Sequence, residues 1–309
     1  MSDAIPIRWP AEAIWEAVAP SLEGFTVEVL PSIDSTNTEL MRRFRGNPAG
    51  SGGSPGAAPR PEPILLVAEQ QTAGRGRLGR NWHSQRGDSL TFSLGLPLQP
   101  ADWSGLSLVV GISLAESLDP LNGGSRRIGL KWPNDLWLEG PGGERKLAGI
   151  LVETASVEGL RYVVIGVGIN IRAPAFSSID VAAAAATATP ASLTATTPMP
   201  GAGLEDVLPG IDAAQTLLKV LPPLVQAIQA FEQFGFAPFQ ARFARRDVLA
   251  GRAVHLSDGT LGEAHGVAEN GALLVHTSAG MKEITSSEVS VRPAGAALAR
   301  PLITGGGAC

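Results

Sequence analysis

From Gly251 onward the chain signals a reversal of direction about every ten residues, at Asp258-Gly259, Asn270-Gly271 and Ala279-Gly280. Segments that short cannot bury one face of a helix. β-prone runs between them, such as 272–277 (ALLVHT), suit antiparallel strands joined by Gly-containing turns. The spacing predicts a small all-β barrel of about five strands over 248–293. Residues 294–309 read as a loose tail.

The longer stretch before Gly251 mixes helix and strand patterns. Its 309-residue parent chain suits one large domain, 1–247, ahead of the small one. Residues 11–19 read as a short helix and 25–30 as a strand. Thr36 and Glu39 have capping-box spacing at the start of a second helix. Strands are expected at 64–69, 89–94, 147–153 and 161–168, the last two joined near Glu158-Gly159. An apolar helix is expected at 104–118, and Ile128–Trp137 reads as two strands around a Pro133-Asn134-Asp135 turn. Helices should fill 212–247, broken at Pro222-Pro223. Low-complexity stretches at 46–63 and 182–203 read as insertions.

Composition excludes several classes. Hydrophobic content of 44% and charged content of 17% are those of a globular chain with a core. A net charge of −5 gives no global attraction to nucleic acid or anionic membrane. The single cysteine, Cys309, allows no internal disulfide and no cysteine-based metal site. The N-terminal MSDAIPIRWP lacks the pattern of a secretory signal, and no run is long and apolar enough to span a bilayer. The cytoplasm is the expected location. Four scattered histidines, His83, His255, His265 and His276, offer no metal-ligand spacing.

Against that mildly acidic background GRGRLGR, residues 74–80, stands out. Glycine lets backbone N–H groups approach a ligand, and arginine offers a fixed fork of donors to carboxylate or phosphate. Alone it fits a solvated basic loop or a nucleic-acid contact equally well. It is neither a P-loop, which ends Gly-Lys-Ser/Thr, nor a dinucleotide fingerprint. In KWPND, 131–135, Lys131 could neutralise phosphate and Asp135 could orient a lysine, though an ordinary β-turn accounts for the segment. Lys146 precedes the apolar run LAGILVE, where a plain strand edge is the bland alternative. Gly166 and Gly168 within GVGIN indicate close approach to a strand, by an adenine ring or through a β-bulge. Ser35-Thr36-Asn37 place two hydroxyls and an amide at a helix start, and capping alone accounts for Thr36.

Together and in this order, Asp34-Ser35-Thr36-Asn37, QTAGRGRLGRNW (71–82), KWPND, KLAGIL (146–151) and GVGIN (166–170) resemble the biotin–protein ligases over about residues 30–293. Phe231 through Val254 resembles the junction to that family's C-terminal barrel. The resemblance implies an α+β fold. A mixed β-sheet flanked by helices, similar to class II synthetases and lipoate ligases, would precede a small SH3-like barrel.

It also implies residue roles. Ser35, Thr36, Asn37 and Gln71 would face the ureido ring of biotin, with Gly74, Arg75, Gly76 and Arg77 in a loop folding over it, and Gly149 nearby. Trp82 would build the nucleotide pocket with Arg80. Asn134, Asp135, Gly168 and Asn170 would line the ATP side, and Lys146 with Arg77 would meet the reacting carboxylate and α-phosphate. The co-substrate would be ATP with Mg²⁺, with no tightly bound cofactor and no protein-held metal.

The expected partner is a biotin carboxyl carrier protein, with a homodimer as a family-based option. Only 34 residues precede Ser35, too few for the DNA-binding domain that some members carry, so no DNA partner is expected. The alternatives are a lipoate or octanoate ligase on the same fold, and a non-enzymatic nucleic-acid-binding module.

Overall fold

A computed structural model describes residues 7–46, 62–121, 126–140, 143–157, 159–174, 201–285 and 291–293. Most of the expected insertions, Glu158 and the tail 294–309 with Cys309 lie outside the described residues. The apolar runs pair into a seven-stranded sheet: β1 (Thr26–Leu30), β2 (Ile64–Ala68), β5 (Ser89–Pro97), β6 (Ile128–Lys131), β7 (Asp135–Gly140), β8 (Gly143–Val157) and β9 (Leu160–Asn170). Their spatial order is β1-β2-β5-β9-β8-β7-β6. β1 and β2 run parallel and every other neighbour is antiparallel, so the sheet is mixed. A separate two-stranded pair, β3 (Gly74–Arg75) with β4 (Asn81–Trp82), flanks the Gly/Arg loop. Those residues, unpromising as a strand in sequence, pair because the chain doubles back within seven residues.

One face of the sheet carries the main core. Alternate strand residues such as Leu65, Phe92, Leu94, Val163 and Ile165 point into it and are at most 2% exposed. α1 (Ala11–Val18), α3 (Leu106–Leu118) and α4 (Ala213–Phe234) contribute to the same cluster. α3 is apolar nearly all round, as a helix sandwiched between the sheet and α4 must be. On the other face α2 (Thr36–Gly46) packs Leu40, Met41 and Phe44 onto Leu66, Tyr162 and Val164. It covers only part of that face, and the remainder stays open as a pocket.

Two expectations need correction. α4 runs unbroken through Pro222 and Pro223. A proline inside a helix costs about 3 kcal/mol. Val220, Leu221, Leu224 and Val225 beside them are at most 2% exposed, and each such side chain contributes about 1.5–3 kcal/mol on burial. Packing therefore outweighs the local penalty. The helix stops instead at Gly235, whose φ of 67° disfavours other residues. The capping box at Thr36 and Glu39 is also absent. Ser35 Oγ accepts from the Thr38 N–H at 3.4 Å, while Glu39 pairs with Arg42 and Arg43. Thr36 is drawn away from capping by tertiary partners.

After a short helix, α5 (Gln240–Ala244), the chain enters a five-stranded antiparallel sheet, β13-β12-β11-β10-β14. Its strands are β10 (Ala253–Leu256), β11 (Leu261–Val267), β12 (Leu273–Thr277), β13 (Gly280–Ile284) and β14 (Val291–Pro293), matching the spacing of turn signals. This small unit is bolted to the large sheet. Trp132, fully buried, donates its Nε1–H to the Gly271 carbonyl at 3.0 Å. Leu130 exchanges backbone hydrogen bonds with Arg246 and Val248 at 2.7 and 3.1 Å.

Replacing Trp132 by Phe removes that donor and strands a buried carbonyl, a loss of about 1–3 kcal/mol. Thermal unfolding should shift down, and hydrogen exchange should quicken in 251–285 more than in β5 and β9. Equal exchange in both sheets would show that the indole does not hold the two units together.

Candidate active site

The open part of the sheet is a floor built from register. Thr91, Gly168, Gly149, Asp135 and Lys131 are successive cross-strand partners in β5, β9, β8, β7 and β6, and so lie in one row. Ser93, Gly166 and Leu151 form the next row. Side chains alternate faces along a strand, so Gly166 and Gly168 share the open face. Neither glycine is idle. A Cβ at Gly166 would collide with the Asn37 amide, and one at Gly168 with the Trp82 indole. Close approach is thus what these glycines allow, by Asn37 and Trp82 rather than through a bulge in β9.

One end of the pocket is lined by uncharged polar groups. Ser35, Thr36 and Asn37 are 2–3% exposed, and all three line the cavity with Gln71. Gln71 Oε1 accepts from the Thr36 N–H at 2.8 Å and from its hydroxyl at 3.1 Å. Ser93 Oγ lies 2.7 Å from Thr36 Oγ1 and 2.6 Å from Asn37 Oδ1. Asn37 Nδ2 donates to the Leu151 carbonyl and to Glu153. These bonds fix how each polar atom is presented, which a low-dielectric pocket requires.

The other end is strongly charged. Lys146 Nζ lies 2.8 Å from Asp135 Oδ1, an ion pair without hydrogen-bond geometry. Lys146 stands inside β8 rather than before it. The β7–β8 register slips there, Leu136 pairing with Ala148 but Trp137 with Lys146, so Leu147 is an extra residue. Such a bulge re-aims a side chain, here turning Lys146 onto the open face while Leu147 is fully buried. Arg77 donates to Asn134 Oδ1 at 3.3 Å, and Asn134 is itself tied to Ile150 by two bonds of 2.9 and 3.0 Å. Burial lowers the Arg77 pKa, with Asp135 opposing and Arg80 adding. Lys131 also lines this end, and burial above all pushes its ammonium down to about 8.

Of the expected residues, Ser35, Thr36, Asn37, Gln71, Arg75, Gly76, Arg77, Arg80, Trp82, Asn134, Asp135, Lys146, Gly149 and Gly168 gather around one cavity. Gly74 and Asn170 do not line it. Gly74 pairs with Trp82 in the β3–β4 ribbon, and Asn170 donates to the Lys146 carbonyl at 3.3 Å. Sequence reading missed Ser93, Glu153 and Val291. The serine and the valine lie in ordinary strand patterns. Glu153 closes a motif whose other residues held attention. Val291 reaches the pocket from the C-terminal sheet, which no local pattern announces.

Residues 56–170 match the Biotin/lipoate A/B protein ligase family, and residues 250–292 match the Biotin protein ligase C terminal domain. The chain is 34% identical over 279 residues to the bifunctional ligase/repressor BirA of Escherichia coli (strain K12), covering 88% of this chain and 76% of that protein. It is 30% identical over 271 residues to the biotin–[acetyl-CoA-carboxylase] ligase of Paracoccus denitrificans, covering 84% and 98%. The structure is similar to that of a biotin protein ligase from Aquifex aeolicus in complex with biotin and ATP. There the TM-score is 0.64 at 28% identity, covering 87% of this chain and 99% of the other.

Gly168→Ala tests the glycine floor. The added methyl should drive the Trp82 indole off the sheet, so tryptophan emission should shift to the red and acrylamide quenching should rise. Unchanged quenching would place the indole elsewhere.

Proposed function

We propose, from the premise that this chain belongs to the biotin–protein ligase family, that it activates biotin with ATP as biotinyl-5′-AMP and transfers it to a lysine of a biotin carboxyl carrier protein. The observation that carries the reading is the polarity of the pocket. One end is rich in uncharged hydrogen-bonding groups, with Arg75 held beside them by Glu153, and the other is lined by Lys146, Arg77, Arg80 and Lys131. Biotin has the same polarity, a neutral ureido ring at one end and a carboxylate at the other. A lipoate head is an apolar dithiolane, which makes no hydrogen bonds to the polar wall of Ser35, Thr36, Asn37 and Gln71. The basic loop is also turned inward, with Arg75 on Glu153 and Arg77 on Asn134, rather than presenting a stripe to nucleic acid.

In the first step a biotin carboxylate oxygen attacks the α-phosphorus. The new P–O bond forms as the bond to the β-phosphate bridging oxygen breaks, and pyrophosphate leaves. Both reactants are anionic, so the cationic end offsets their repulsion and holds them in line. Asp135 keeps Lys146 aimed at that point. Mg²⁺ is assigned to the substrate MgATP, where it offsets phosphate charge. The β3–β4 loop shields the mixed anhydride from water. In the second step a carrier lysine amine, having lost a proton, attacks the acyl carbon. A C–N bond forms, the acyl C–O bond breaks and AMP leaves.

We place the reaction in the cytoplasm, where ATP is supplied. No helix of the described residues is long and apolar enough to cross a membrane. A homodimer through a sheet edge is the proposed assembly, with β1 at one edge.

Mass spectrometry of a purified carrier domain incubated with this protein, biotin and MgATP should show one added biotin on one lysine. Lipoate in place of biotin should give none. Lys146→Ala should lower biotinyl-5′-AMP formation by about 10²–10³-fold at unchanged far-UV circular dichroism, the scale of one lost electrostatic contact in an active site. Wild-type rates from that variant would remove Lys146 from the reaction.

Lys131 gives a pH dependence. In the free protein its charged fraction falls as pH rises through about 8. A phosphate partner restores the charge, so above that pH nucleotide binding must take up a proton. ATP affinity should fall from about pH 7 to about pH 9.5, by up to about tenfold per unit. Calorimetry in buffers of different ionisation enthalpy should register the proton. Lys131→Arg stays charged throughout and should flatten the profile; an identical slope in that variant would sink the assignment.

A further inference from the structure

Glu153 belongs to no role assigned above, yet it joins the two ends of the site. It stands on β8 on the open face, two residues along from Leu151 and four from Gly149. Its carboxylate receives a forked pair from Arg75, Nη2 to Oε1 at 3.0 Å and Nη1 to Oε2 at 3.3 Å. Oε2 also accepts from Asn37 Nδ2 at 3.0 Å. Arg75 Nη1 reaches Thr38 Oγ1 at 3.3 Å as well. The glutamate side chain is 22% exposed and the arginine 48%.

We infer that Glu153 is a positioning residue for the biotin step, latching the β3–β4 loop to the sheet through Arg75 and fixing which way the Asn37 amide faces. The inference rests on the biotin-ligase reading of the same site. Each half follows from hydrogen-bond inventory. A carboxylate accepts only, so the Asn37 group facing it must be the NH₂. That turns Asn37 Oδ1 toward Ser93, from which it accepts, and toward the ring end of the pocket. The forked Arg75 contact is charge-assisted and directional. Arg75 lies at the root of the loop carrying Arg77 and Arg80, so holding it down sets where those guanidinium groups can reach. Among the described residues, the carboxylate paired with this loop root is Glu153.

The two jobs separate by substitution. Glu153→Gln keeps a carbonyl acceptor for Asn37 but loses the charge that holds Arg75. Glu153→Leu loses both. In the ligand-free native protein, hydrogen exchange at 74–82 should be slow and should quicken as NaCl rises from about 0.05 M to about 1 M, because the latch is a partly exposed ion pair. In Glu153→Gln it should be about two- to fivefold faster and insensitive to salt. Biotinyl-5′-AMP should dissociate faster from Glu153→Gln by a similar factor, with biotin affinity within about twofold of native. Glu153→Leu should lose biotin affinity in addition. Circular dichroism checks that both variants are folded. If either misfolds, the salt response of the native loop decides. A loop that exchanges at the same rate in native protein and Glu153→Gln, or that ignores salt in the native protein, overturns the latch. Accelerated exchange in a protein that makes no biotinyl-5′-AMP even when native would leave the latch standing and remove the ligase reading.

Discussion

The site depends on strand register. Gly168 and Gly149 are useful only because they face each other across β9 and β8, with Asp135 and Lys131 continuing the row. A shift of any of these strands by one residue would turn its whole set of side chains to the other face. The glycines would then look into the core, and Ile165, Val167 and Ile150 would fill the pocket. What prevents the shift is the main core itself. The residues that alternate with the floor, among them Ile165, Ile169 and Ala148, are fully buried. The apolar face fixes register, and register places the chemistry on the opposite face.

The Leu147 bulge is the one departure from that periodicity in the row's neighbourhood, and it falls at Lys146. Without it the lysine would alternate into the core, where an ammonium group is costly to bury. With it, Lys146, Asp135 and Lys131 crowd one end of the cavity. Burial above all lowers the affinity of Lys131 for its proton, with Lys146 and Arg80 adding and Asp135 opposing. An anionic ligand relieves the repulsion. A ligand-free site that is electrostatically uncomfortable is therefore suited to binding two anions side by side.

The polar end follows the opposite logic. Thr36, Asn37, Ser93 and Gln71 are linked by short contacts between segments distant in sequence. Such a network cannot relax far around a wrong partner without stranding a buried group. Glu153 extends it to the loop. Recognition at one end and closure at the other thus share a side chain.

Much of this was legible in the sequence. Turn spacing after Gly251 gave five antiparallel strands, and apolar runs located the strands of the large sheet within a few residues. The motif resemblance picked out residues that the fold gathers around one cavity. Local chemistry could do this because turns, alternation and glycine placement are short-range effects. Where short-range rules and tertiary contacts conflicted, the contacts won. Pro222 and Pro223 sit inside a helix because buried neighbours outweigh them. Thr36 gives up capping for Gln71. Only the tertiary structure decided that Lys146 faces the pocket, that Glu153 meets Arg75 across 78 positions of sequence and that Val291 closes the cavity from a second sheet. The physical reason is common to all three. Each depends on which strands become neighbours and in what register, a property of the packed core as a whole that no window of sequence contains.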